Sequence, residues 1–261
     1  MDTSATSGAP PDEPRWPGDA AHVNVGTVLA RTMRLWRKHA LPFTVAAFVL
    51  ELPATWFEYA SAAAEARGAQ VRPLAGSLPT SLAFLLLSAM LTAGALESLA
   101  GRPVRLSAML STGLRRFGRV FGVSLVTSIL VGLATLLLVV PGLMVLSALW
   151  LAIPAAIAEP DGARSAVQRS RELTKGHRWT TFLTFAILIG MNVAAAIALS
   201  AAAELAPLQA GAPFATVAAF AGTALSAVTS GLWATAPAVA FHDLRALKES
   251  GSASTLASVF E

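Results

Sequence analysis

Apolar positions along the chain gather into long runs, several of about twenty residues, separated by short polar segments. A helix of that length pairs all of its own backbone groups and matches a bilayer core of about 30 Å. Six runs predict membrane spans at residues 40–62, 79–100, 120–140, 143–158, 179–205 and 214–241. Spans three and four are expected to be joined only by Pro141 and Gly142, a tight-turn signal, since Leu125 to Ala158 read as one kinked span exceeds the core thickness. Three of the intervening segments are amphipathic at helical period. Their apolar stripes are Val25, Val28, Leu29, Thr32, Leu35, Trp36; then Leu106, Met109, Leu110, Gly113, Leu114, Phe117; then, more weakly, Ala163, Ala166, Val167, Ser170, Leu173, Thr174. Each is followed closely by a span, so the pattern reads either as a basic helix plus membrane hairpin repeated three times or as the ordinary basic, amphipathic character of segments beside membranes. The expected fold class is all-α: a polytopic integral membrane helical bundle over residues 24–248, six transmembrane helices with three amphipathic cytoplasmic interfacial helices.

Charge gives that map a direction. Of 19 Lys and Arg, only Arg67 and Arg72 fall in the loop between spans one and two. The others lie before span one, between spans two and three, between four and five, or after six, the partition expected when both termini are cytoplasmic. Residues 1–23, rich in Pro, Gly and acid, are expected to be a disordered tail, and 249–261 a short flexible one. The first segment lacks the basic start, apolar core and cleavage site of a signal peptide, so the first span is expected to do the targeting. Hydrophobic residues at 55% and charged residues at 13% are consistent with a membrane protein. A pI near 10.3 is explained by topology rather than by nucleic acid, because the cations cluster beside spans. No cysteine is present, which excludes disulfides and thiolate chemistry. Abundant Arg and Ala read as GC-rich bacterial coding, hence an expected bacterial inner-membrane location.

The densest motif is EPDGARSAVQRSRELTKGHRW, residues 159–179, with the skeleton E-x-x-G-x-x-x-A-x-x-R-S-x-x-L-T-x-G-x-x-W. Glu159 is expected to end span four, Gly162 with Asp161 to start a helix, Gly176 to cap it after Lys175, and Trp179 to anchor span five at headgroup level. Leu173 belongs to the helix's apolar stripe. Arg169 and Ser170 admit two readings: an ion pair with Glu159 or Glu172 and packing under the helix, or a phosphate or lipid-headgroup contact. Together with VGTVLARTMRLWRKH at the start and FHDLRALKES at the end, the motif resembles the glycerophosphoryl diester phosphodiesterase membrane domain family and YciC-like bacterial membrane proteins. The resemblance covers nearly all of the chain expected to be ordered. It implies a membrane module with no established activity of its own, sometimes fused to a soluble phosphodiesterase domain. About twenty residues follow Phe241, so the module is expected to stand alone here.

Intramembrane acids are costly and are functional candidates by default. Glu51 lies mid-span beside Pro53, Glu58 follows on about the same face, and Glu97 sits near the cytoplasmic end of span two. They read either as groups handling ions or protons, Glu51 above all, or as carboxyls that are neutral, internally paired or at an interface. His22, His39, His177 and His242 form no metal-ligand spacing, and no nucleophile elbow, phosphate loop or dinucleotide fingerprint occurs. No cofactor or catalytic residue is therefore expected. Small-residue stripes at Ala218, Gly222, Ser226, Ser230 and at Ser124, Ser128, Gly132 suit bundle packing or a homo-oligomer. The favoured expectation is a non-enzymatic membrane protein engaging anionic lipid or a protein partner through basic helices, with Arg115, Arg116 and Arg119 as candidate headgroup contacts. The rivals are a small transporter or channel using Glu51 and an enzyme acting on lipid head groups.

The charge partition predicts that reporter fusions at Gly76 and Gly211 register the outer side and fusions at Gly113, Gly162 and the C-terminus the inner side. A C-terminal reporter on the outer side would overturn the six-span arrangement.

Overall fold

The computed structural model describes residues 23–65, 67, 73–159, 162–205 and 211–257, and all of the regular structure among them is helical. In chain order the helices are α1 (Val25–Lys38), α2 (Ala40–Glu65), α3 (Pro73–Leu99), α4 (Leu106–Leu137), α5 (Val139–Leu149), α6 (Ala152–Ala158), α7 (Ala163–Thr174), α8 (Arg178–Leu205) and α9 (Gly211–Ala257). Four stretches are long and apolar enough to cross a membrane: Leu78–Leu99, Leu106–Leu137, Arg178–Ala198 and Gly222–Glu249. Ala40–Pro53 and Gly142–Ala158 are shorter apolar stretches.

Among the described residues the helices meet in two larger cores that share α9 and a smaller one of Ala89, Ala93, Val120 and Ile157 between α3, α4 and α6. Val28, Val123, Leu149, Leu151, Val167, Leu173, Phe241 and Leu244 form one, which joins α1, α4, α7 and α9 around the α5–α6 segment. Leu35, Phe43, Leu87, Met90, Leu91, Met109 and Ala234 form the other, which joins α1, α2, α3 and α9 and takes one residue from α4. Small residues set the closest approaches. A Cβ on Gly94 would lie 3.0 Å from Met109 and from Phe43, and one on Gly113 would lie 2.7 Å from Met90. Large apolar side chains face outward on α4 (Leu125, Ile129, Leu133, Leu136) and α8 (Leu183, Ile187, Met191, Val193), as a lipid solvent permits and water does not.

Three expectations are corrected. The second amphipathic segment and the third span are one 32-residue helix, α4, because nothing between Leu106 and Leu137 breaks a helix: there is no proline, and none of its glycines has positive φ. The reversal after it falls at Leu138, extended at φ −164° and ψ 143°, rather than at Pro141–Gly142. Those two residues sit in the first turn of α5, where proline's missing N–H leaves no bond unmade. Residues 249–257, expected as a flexible tail, continue α9 as helix, with an i,i+4 pair from Arg245 Nε to Glu249 Oε1 at 2.8 Å. The expected tail at 1–22, residues 160–161 with Asp161 among them, and 66, 68–72, 206–210 and 258–261 lie outside the described residues.

Gly142 packs against Thr135 across the hairpin, and a Cβ there would meet Thr135 Cα at 2.9 Å. Gly118 meets nothing within 4 Å. Gly142→Ala should therefore destabilise the purified protein by about 1–3 kcal/mol through overpacking, whereas Gly118→Ala should stabilise it by about 0.5–1 kcal/mol. Thermal melts in one detergent compare the two; equal effects would contradict the hairpin packing.

Candidate functional site

The motif at residues 159–179 builds the junction of α5, α6, α7 and α8. Pro154 lacks the N–H that would reach back to Trp150, and its ring crowds that carbonyl, so the helix breaks at Trp150–Leu151 between α5 and α6. A break in an apolar surround needs donors for nearby carbonyls. One comes from α7: Ser170 Oγ donates to the Ala148 carbonyl at 2.8 Å, and Thr174 Oγ1 lies 3.4 Å from the same oxygen while donating to the Ser170 carbonyl on its own helix at 2.9 Å. Ser170, Leu173 and Thr174 are fully buried. Glycines bound the helix, Gly162 before it at φ +94° and Gly176 after it at φ +93°, values that other residues rarely adopt.

The C-terminal end of α6 is closed by arginines. Glu159 is its C-cap. Arg119 Nη1 donates to the carbonyls of Ala156 (3.3 Å) and Glu159 (3.0 Å), and Arg116 Nη1 donates to the Glu159 carbonyl at 3.5 Å. Cations placed there meet the negative end of the helix dipole. Arg169 pairs with the carboxylates of Glu159 at 3.0 Å and Glu249 at 3.5 Å, and so ties α7 to the end of α9. Lys248 Nζ adds a hydrogen bond to the Glu172 carbonyl. Of the three candidate headgroup arginines, Arg116 and Arg119 are thus engaged within the protein. Arg115 stays exposed, with Nε donating to Ser111 O on its own helix at 3.3 Å.

At the other side of α9, Arg31 pairs with Asp243 at 2.5 Å, their side chains 27% and 6% exposed, and fixes α1 to α9. Trp36 packs where Gly231 leaves room, since a Cβ there would lie 2.6 Å from the indole Nε1. His39, between α1 and α2, shares a 2.8 Å hydrogen bond with Ser98 Oγ on α3. Burial, and then the charge of Lys38, lower its imidazole from the ordinary histidine value and so favour the neutral ring.

Glu51 Oε1 accepts from Ser230 Oγ at 2.6 Å, joining α2 to α9 two residues before Pro53, which α2 carries within its length. Ser230 also lines a cleft with Phe84, Leu87, Ser88, Leu91 and Trp233 that is too narrow for a water molecule. The Glu58 side chain lies outside the described residues. Glu97 Oε2 is buried with no hydrogen-bond partner among the described residues. Trp179 is 76% exposed and stacks edge to face on Phe182.

These features define a helical, membrane-embedded protein whose polar groups mostly serve its own joints. No protein-family model matches the chain, and no curated protein or solved structure does either. The motif did mark the junction, and the pairing of Arg169 with Glu159 is one of those its spacing allows. The Arg31–Asp243 and His39–Ser98 contacts escape a reading of the sequence because their partners are far apart along it. An acid directly after the last apolar run, Asp243, and a proline inside span four, Pro154, were the available signals.

Ser170→Ala combined with Thr174→Val leaves the Ala148 carbonyl without a hydroxyl donor inside the bundle. The pair should cost about 1–3 kcal/mol of stability by chemical denaturation. A change within about 0.5 kcal/mol, as for exposed positions, would place α7 on the surface instead.

Proposed function

We propose that the chain is a non-enzymatic bacterial inner-membrane protein with six spans and both ends in the cytoplasm, which engages anionic lipid headgroups or a protein partner through a basic face. The carrying observation is the division of α4: Arg115, Arg116 and Arg119 crowd its first half, while Leu125, Ile129, Leu133 and Leu136 face outward from its second. Such a helix fits one level of a bilayer, cations at phosphate depth and leucines in hydrocarbon. In this reading α2 supplies the first span, and α5 with α6 the fourth, bent at Trp150–Leu151 and anchored by α7. The motif at Glu159–Trp179 supports kinship with the membrane module of the glycerophosphoryl diester phosphodiesterase membrane domain family. Lipid retained by the protein after purification in mild detergent should be enriched in anionic species over the source membrane. Retained lipid of bulk composition would count against the headgroup role.

The hydrogen bond from Ser230 to Glu51 favours a second reading, transport, since it sets a carboxyl on the contact between α2 and α9. On the first reading this contact is a structural tie between α2 and α9. Proteoliposomes of the parent and of Glu51→Gln should then show the same low proton flux as protein-free vesicles, with Glu51→Gln moderately less stable. A parental flux that Glu51→Gln abolishes, at equal folded protein, would establish the transport reading instead.

A further inference from the structure

We infer that the headgroup contact belongs to the outer face of α7 and its continuation into α8, and that its partner is the phosphate of anionic lipid; this deepens the basic-face reading and rests on it. The sequence points to Arg115, Arg116 and Arg119, but the last two close the end of α6. Arg31 and Arg169 are likewise engaged with carboxylates. Arg164, Arg171, Lys175 and Arg178 are all exposed and, among the described residues, enter no ion pair.

Their spacing puts Arg164 and Arg171 two helical turns apart on one face of α7, with Lys175 and Arg178 coming next where the chain turns into α8. The inward side, Ala166, Val167, Ser170, Leu173 and Thr174, is buried, so α7 cannot roll to withdraw these cations. The acid beside them, Glu172, is occupied: its carboxylate accepts from Gln168 Nε2 at 3.0 Å and its carbonyl from Lys248.

The outer surface of α8 identifies the partner. There Trp179, Leu183, Ile187 and Met191 recur every fourth residue, and all point outward at 76%, 46%, 40% and 42% exposure. From α7 into α8 the surface therefore passes from guanidinium and ammonium groups to an indole and then to aliphatic side chains. A bilayer presents its complement in the same order: phosphate, glycerol interface, hydrocarbon. With the apolar line of α8 in hydrocarbon, the cations one turn above it stand at the level of lipid phosphate, where a soluble acidic protein or a nucleic acid would have to displace the headgroups already there. Each cation near an anionic surface adds attraction, and Arg forks a phosphate's oxygens bidentately.

The test uses the full chain in phosphatidylcholine vesicles containing trace spin-labelled phosphatidylglycerol or phosphatidylcholine, and reads the ratio of protein-immobilised label between the two. The parent should favour phosphatidylglycerol. Arg164→Gln with Arg171→Gln should bring the ratio close to parity, and Arg102→Gln with Arg105→Gln, equal in charge removed and also exposed, should leave it near the parental value. Melting temperature checks the fold of each; if the double variant is unstable, Lys175→Gln with Arg178→Gln, outside the body of α7, should lower the ratio in the same direction. Equal losses from the α7 pair and the 102/105 pair, or an unchanged ratio in both α7-side variants, would overturn the assignment while leaving the general headgroup reading standing. No preference in the parent would overturn both.

Discussion

A backbone carbonyl inside an apolar bundle must find a donor, and the interrupted helix at Trp150–Leu151 makes that demand where the chain can least ignore it. Ser170 answers it at the Ala148 carbonyl, and the arginines of α4 answer it at the end of α6. This demand dictates much of the placement of α7. The Ser170 hydroxyl points inward because a carbonyl needs it, Leu173 is buried beside it, and Gly162 and Gly176 let the chain enter and leave sharply. The motif that stands out in the sequence is thus largely the description of a joint.

The same constraint sorts the charges. Cations near a helix end or a buried acid are drawn into the protein, as Arg119 is to α6, Arg169 to Glu159 and Arg31 to Asp243. Removing Arg31 would leave the nearly buried Asp243 carboxylate with only the His242 ring at 3.6 Å, a loss of up to about 3–5 kcal/mol. Such pairs work as fasteners for α1, α7 and α9 and not as contacts for a ligand. The cations with no such partner are those available to the surroundings, and on α7 they share one face above an outward line of apolar residues on α8.

Long apolar runs were the most legible feature, since a bilayer's demand for continuous helix is written into composition over twenty residues. The helices at Val25–Lys38 and Ala163–Thr174 were legible too, because their apolar positions recur at helical period and the second is bounded by Gly162 and Gly176. Boundaries between amphipathic and apolar stretches were not. A change in polarity does not stop a helix unless a breaker stands there, so Leu106–Leu137 runs through. The Pro141–Gly142 signal was displaced by a few residues because proline is equally at home in a helix's first turn. Contacts such as Ser230 with Glu51 and Ser98 with His39 join residues far apart in sequence, and periodicity within one helix carries no information about them.

The junction described above requires that α7 be built into the bundle against α4, α5 and α6 rather than resting beside it. The cysteine-free sequence permits a direct measurement. A Cβ on Gly122 of α4 would lie 3.5 Å from the Cβ of Ala163 at the start of α7, within the range a disulfide requires. Gly122→Cys with Ala163→Cys, oxidised mildly in native membranes, should form an intramolecular disulfide in nearly all of the protein, while Gly118→Cys with Ala163→Cys, one turn away, should form little. Failure of the first pair to close, or equal closure by both, would contradict the docked position of α7 and the account of the junction that depends on it.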